Sequence, residues 1–259
     1  MLLALDVGNT NIVLGCFDGD SILFRERVST NQQATDLEYA TRIRMALDMY
    51  SIDRKQITEA IISSVVPSVT NTLKQAVEKY LGCTPMIVGP GIKTGLSIVI
   101  DNPAQLGSDL VVDAVAGISE YPLPLIIIDM GTATTFSLID AKKRYLGGVI
   151  MTGMAVSTEA LVSRTSQLPR IAFEPPKSVV GTNTIDCMKS GIMYSTACAI
   201  DGMIGRIEEE LGEHCTVVAT GGLAGTVVPL CKKDILLDDD LLLKGLHVIY
   251  EKNRPATGA

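Results

Sequence analysis

The chain has 259 residues, of which 47% are hydrophobic and 20% charged, with a formal net charge of −7; this predicts packed globular domains rather than disorder, and excludes a broad nucleic-acid face, whose footprint is basic. No apolar run approaches the ~20 residues of a membrane helix, and Asp6 interrupts an N-terminal stretch that lacks a basic leader, so neither membrane association nor a secretory signal is expected. Six cysteines without a Cys-x-x-Cys pair predict reduced thiols in a cytoplasmic protein, and two histidines argue against a zinc site.

Along the chain, Leu2–Leu5 is a short apolar strand that ends in the turn Asp6-Val-Gly-Asn-Thr-Asn11. Ile12–Phe17 and Ser21–Phe24 flank Asp18-Gly-Asp20, a hairpin signal. Thr35-Asp-Leu-Glu38 fits a capping box, and Leu37, Ala40, Ile43 and Leu47 recur at helical spacing. Ala60–Val66 reads as a strand stopped by Pro67. Val69 to Leu81 reads as a helix closed by Gly82, and Pro85–Val88 as a further strand. The order is β-β-β-α-β-α-β. Residues 90–106 are rich in turn signals, and connections of this length in compact domains are often functional. A helix over 108–119 follows, and Tyr121-Pro-Leu-Pro124 marks a boundary.

The second half begins in the same way. Leu125–Asp129, Thr134–Ile139 and Arg144–Ile150 read as strands, and the first runs into Asp129-Met-Gly-Thr-Ala-Thr-Thr135. Helices are predicted near Val156–Ser166 and Thr184–Leu211, a strand over Thr216–Thr220 ending in Gly221-Gly222, and a last helix over Asp239–Lys252. The echo in order and turn chemistry predicts an internal duplication. Two stacked α/β domains, 1–120 and 121–253, would enclose a ligand cleft, with 254–259 as a frayed tail.

The paired turns carry the chemistry. Gly8 lets the backbone approach a ligand, and Asn9, Thr10 and Asn11 offer donors to phosphate oxygens. Asp6 repels phosphate, so its expected part is to hold Mg²⁺, through water. Thr132, Thr134 and Thr135 add hydroxyls beside Gly131. Each turn also has a plainer reading, as an Asn-rich hairpin or a Thr-rich strand. Their equivalent placement in two halves favours a nucleotide site. Neither a P-loop nor a Gly-x-Gly-x-x-Gly fingerprint is present.

Asp-Val-Gly-Asn-Thr-Asn, Asp-Met-Gly-Thr-Ala-Thr-Thr and Ala219-Thr-Gly-Gly-Leu-Ala224, in this order, resemble the type III pantothenate kinases. Ser63-Ser-Val-Val-Pro67, Val88–Leu96, Gly147–Ile150, Leu168-Pro-Arg170, Val180–Thr184 and Leu243–Leu246 agree, so the similarity spans residues 1–253. The resemblance implies an α/β fold of two stacked ribonuclease-H-like domains of the actin-like and sugar-kinase-like ATPases, with the nucleotide in an interdomain cleft. It implies ATP on Asp6, Val7, Gly8, Asn9, Thr10, Asn11, Ile12 and Val13, and on Gly131, Thr132, Gly221 and Gly222. It further implies a monovalent cation, K⁺ or NH₄⁺, at Asp129, with Mg²⁺ near Asp6. Asp109 would be the general base, in a pantothenate-binding segment Gly107, Ser108, Asp109 and Leu110, with Thr184 also touching pantothenate. A homodimer is implied as well. Without the resemblance, Ser108 reads as a helix cap and Asp109 as a first-turn carboxylate complementing the helix dipole.

The pattern is broken at three places. Thr152-Gly153 stands where the family has a proline-glycine after the Gly147–Ile150 strand. Leu110 stands where the family has Arg, and Ile100 where it commonly has Tyr. An Arg there would pair with the pantothenate carboxylate, and its loss removes about 2–5 kcal/mol of binding. Three functions stay open on the sequence: a pantothenate kinase, a kinase of another small alcohol, and a nucleotide-binding regulator.

Overall fold

The structure, a computed structural model, describes residues 1–254, so residues 255–259 of the expected frayed tail lie outside the described residues. The chain packs as two compact units. One holds Met1–Leu96, Asp101–Ser119 and residues 240–254; the other holds Ser97–Ile100 and Glu120–Asp239.

The first unit is built on a five-stranded sheet of β1 (Leu2–Val7), β2 (Asn11–Asp18), β3 (Ser21–Ser29), β4 (Glu59–Ser64) and β5 (Met86–Ile87), in the order β3-β2-β1-β4-β5. β1 runs antiparallel to β2 and parallel to β4. All six residues of β1 are buried. A strand covered on both faces needs a continuous rather than alternating apolar run, which Leu-Leu-Ala-Leu supplies. Leu3, Leu5 and Val7 face a core shared with α1 (Asp36–Met49) and α2 (Pro67–Leu81). Leu2 and Ala4 face the opposite core with Val112 and Val115 of α3 (Ser108–Glu120).

Thr35 forms the expected capping box with Glu38. The buried stripe of α1 is Tyr39, Ala40, Ile43, Ala46 and Leu47, whereas Leu37 is 61% exposed. Tyr39, absent from the expected set, sets that stripe, and Leu37 lies off it. β4 stops at Ser64, two residues short of the expected end, and Pro67 is the first residue of α2, where its missing N–H costs nothing. Gly82 closes α2 at φ +78°.

The second unit repeats the plan. β6 (Ser97–Ile98), β7 (Leu125–Met130), β8 (Ala133–Ile139), β9 (Arg144–Thr152), β10 (Thr216–Thr220) and β11 (Leu236–Leu237) form a sheet ordered β11-β10-β7-β8-β9-β6. Without β6 this is the order of the first sheet, and β7 takes the central place of β1. Ile126, Ile128 and Met130 pack with α4 (Met154–Ser163), α5 (Thr184–Leu211) and α6 (Ala224–Val227).

The last helix, α7 (Leu241–Asn253), lies in the first unit, not with the second half of the chain as its sequence position suggests. Leu243, Leu246, Ile249 and Tyr250 complete the core around Leu2 and Ala4. A methyl on Gly245 would stand 2.1 Å from the Val112 carbonyl oxygen, so α7 crosses α3 at backbone contact. Residues 97–100 make the reverse exchange, because β6 bonds to the edge of β9. No helix among the described residues is long and apolar enough to cross a membrane, and all six cysteines are unpaired thiols.

Candidate active site

In the first unit, Asp6 is the next-to-last residue of buried β1, at 6% exposure, level with Val13 on β2 and Ser63 on β4. The turn that follows is held at both ends. Gly8 N–H donates to the Asn11 carbonyl at 3.0 Å, and Thr30 binds it from outside, with Oγ1 donating to the Gly8 carbonyl (2.7 Å) and N–H to the Thr10 carbonyl (2.9 Å). Asn9 and Thr10 are exposed at its tip and Asn11 is half-buried. Val7 and Ile12 send their side chains into the core, so only their backbone is left for a ligand, and Val13 is half-buried.

β1 and β4 run in parallel, so Asp6 and Ser63 share the face of the sheet on which α3 packs. There Ser63 Oγ donates to Ser108 Oγ at 3.0 Å, and Ser108 Oγ donates to the Ser64 carbonyl at 3.1 Å. Ser108 is not the helix cap that the sequence suggests, because it is the first residue of α3 and the Gly107 carbonyl accepts the first helical bond, from Val111 N–H at 3.2 Å. Asp109, one residue on, is half-buried, and its Oδ1 accepts from Leu110 N–H at 2.8 Å. Burial raises its pKa above the ordinary carboxylate value, although the backbone N–H bonds oppose the shift. A half-buried carboxylate with raised proton affinity suits a general base. Leu110 is half-buried in the same turn, with no charge to offer an acceptor.

In the second unit, Asp129 and Thr135 face each other across β7 and β8, and Gly131 N–H closes the turn onto the Ala133 carbonyl at 3.0 Å. Thr132 is exposed at the tip. Two other glycines fit around this turn. A methyl on Gly221, which has φ +96°, would stand 2.6 Å from Asp129 Oδ1 and 2.6 Å from Met130 N. A methyl on Gly153 would stand 2.3 Å from the Thr132 carbonyl oxygen, to which Gly153 N–H donates at 3.1 Å. The structure thus brings Asp129, Gly131, Thr132 and Gly221 together, with Gly222 exposed beside them. Gly153, noted in the sequence only as part of the Thr152-Gly153 departure, completes the group. Gly131 itself has room for a methyl, its nearest neighbour being 3.6 Å away, so this turn does not require glycine.

Thr184 opens α5 and lies exposed on a groove of about 880 Å³ lined by Ser157 and Leu161 of α4 and by Asn183, Cys187 and Ile192. Asn183 caps the helix, accepting from Asp186 N–H at 3.0 Å. Among the described residues, no three His, Cys, Asp or Glu side chains come together as a metal cage. Single carboxylates at Asp6 and Asp129 still fit cations whose remaining ligands are phosphate, water and backbone oxygens, the ordinary donor set of nucleotide-bound Mg²⁺.

A candidate 2-dehydro-3-deoxygalactonokinase from Sinorhizobium meliloti shares the fold, with a TM-score of 0.61 over 100% of this chain and 99% of that one at 12% identity. The type III pantothenate kinase from Halalkalibacterium halodurans is 47% identical over 98% of this chain and 100% of its own length. That from an Exiguobacterium species is 45% identical, with the same coverage. The sequence profile of type III pantothenate kinases matches residues 2–206. With both turns, the α3 carboxylate and full-length similarity in hand, the chain belongs to the type III pantothenate kinase family.

Proposed function

We propose that this protein transfers the γ-phosphoryl group of ATP to the primary hydroxyl of pantothenate, giving 4'-phosphopantothenate, the first step of coenzyme A synthesis. The carrying observation is identity of 45% or more across 98% of the chain to proteins of that name, joined to a half-buried Asp109 beside the strand end that carries Asp6. Phosphoryl transfer needs positioning and charge neutralisation more than covalent help. The backbone and amides of Asp6–Val13 bind phosphate oxygens, as do Gly131 and Thr132, and Gly221 and Gly222 carry the adenosine. Asp6 would hold Mg²⁺ and Asp129 a K⁺ or NH₄⁺ ion, and when bound these ions would offset negative charge on the phosphates. Asp109 accepts the hydroxyl proton, and Thr184 and the Gly107–Leu110 segment hold the acceptor.

We infer a homodimer from the family resemblance; Ile150 (77%) and Val180 (78%) are apolar residues that the second unit leaves exposed. Its solution mass by light scattering tests this. Leu110 supports a second reading, an acceptor lacking a carboxylate. Coupled ATP-turnover assays with pantothenate, and with the analogue whose carboxylate is replaced by an alcohol, separate the two, each with and without K⁺ or NH₄⁺. Turnover of pantothenate supports the first reading. Turnover of the alcohol alone replaces it with the second, and nucleotide binding without product defeats both.

A further inference from the structure

We propose that Ser63 is a positioning residue for the Asp109 carboxylate, acting through the hydroxyl of Ser108; this rests on Asp109 being the base.

Ser63 is fully buried on β4, yet its hydroxyl bonds to a side chain on another element instead of to its own backbone. The two hydroxyls form a directional relay. Ser63 donates to Ser108, and Ser108 donates to the Ser64 carbonyl. Ser108 thus has its only proton committed and a lone pair engaged, which fixes its rotamer. The next residue is Asp109. On its other side, the carboxylate occupies the space of a side chain at Gly107, where a methyl would meet Oδ1 at 2.4 Å. Farther along α3, Gly245 presses against the Val112 carbonyl, so the helix has little freedom to slide. The first turn of α3 is therefore set by the serine pair, and the pair is referenced to the strand position level with Asp6. The neighbouring Ser64 points the other way. Its Oγ accepts from Val66 N–H (3.1 Å) and from Thr70 Oγ1 (2.7 Å), organising the start of α2. One strand end thereby orients two helix starts, and only the Ser63 branch reaches a reactive carboxylate.

The test compares Ser63→Ala, Ser108→Ala and the double variant with the wild type. A small displacement of a reacting group costs roughly ten- to a hundredfold in kcat. That loss is expected in both single variants, with the KM for ATP changed by less than about twofold because ATP binding is untouched. The double variant falls no further than the worse single one, since both break the same bond. The acid limb of the kcat–pH profile also moves to lower pH, as a loosened Asp109 gains water. Wild-type kcat in either single variant, multiplicative losses in the double, or an unmoved limb overturns the inference. Asp109→Asn separates this from the underlying reading. Normal turnover in that variant removes the base assignment and the inference together. An inactive Asp109→Asn alongside a fully active Ser63→Ala removes the inference alone.

Discussion

Gly221 and Gly131 stand in similar glycine turns, but the structure assigns them opposite tolerances. Gly221→Ala would place a methyl carbon 2.6 Å from Asp129 Oδ1, 2.6 Å from Met130 N and 2.8 Å from the Met130 carbonyl carbon. The carboxylate can rotate away, but the backbone of buried β7 cannot. Overpacking of this kind costs about 1–3 kcal/mol, and a side chain in the left-handed region, at φ +96°, adds about 1–2 kcal/mol. The sum, about 2–5 kcal/mol, lowers Tm by roughly 5–15 °C in a chain of this size. Gly131→Ala meets nothing closer than the Ala133 carbonyl oxygen at 3.6 Å and has no left-handed φ. Its reduced unfolded-state entropy stabilises by about 0.4–1 kcal/mol. Thermal unfolding of the ligand-free variants followed by circular dichroism reads both values. A Gly221→Ala Tm within about 1 °C of wild type, or equal losses in the two variants, refutes the steric argument. Because the added methyl presses on Asp129, Gly221→Ala should also weaken activation by K⁺ or NH₄⁺.

Asp109 has a stability signature as well as a catalytic one. Its pKa in the folded protein is raised above the ordinary 3.8 by burial. For a carboxylate shifted this way, the favourable contribution exists below the unfolded pKa and is lost as pH rises through the folded pKa. Asp109→Asn is therefore expected to be more thermostable than wild type at neutral pH, with the gap closing under acid, while turnover disappears and nucleotide binding remains; calorimetry across pH checks this. Gly245→Ala should destabilise by about 1–3 kcal/mol in urea despite alanine's higher helix propensity, because its methyl meets the Val112 carbonyl, whereas Gly202→Ala, with open space around it, should stabilise by about 0.5–1 kcal/mol. Thiol titration at pH 8 should label the exposed Cys187 and Cys198 first, because burial pushes Cys16 and Cys215 up to about 11 and Cys231 up to about 12.

Much of the fold was legible because it is written in local signals. The capping box at Thr35, the glycine closing α2, and the full extent of α5 from Thr184 to Leu211 all follow from capping and periodicity. The duplication showed in the turns, and it is real at the level of strand order. Other features depend on partners that no local window contains. The apolar face of α7 says that the helix is buried, but not that Leu2 and Ala4 cover it. Two residues, Ser97 and Ile98, are too few to announce an edge strand. Of the candidate site, both aspartate turns and Asp109 come from sequence pattern and resemblance. Gly153, the steric need at Gly221 and the Ser63–Ser108 bond do not, since each is defined by a distance between segments far apart in the chain.

The return of α7 to the first unit sets an order of events during synthesis. The sheet face lined by Leu2, Ala4 and Ile61 gets its full cover only when Leu243, Leu246 and Ile249 have been made. Between Ser119 and Asp240 the ribosome must produce the chain of the second unit, a delay of roughly 6–24 s at ordinary elongation rates. The strand that carries Asp6 is translated first, yet its surroundings are finished last. Shortening the chain before α7 would leave that apolar face without part of its cover in every copy.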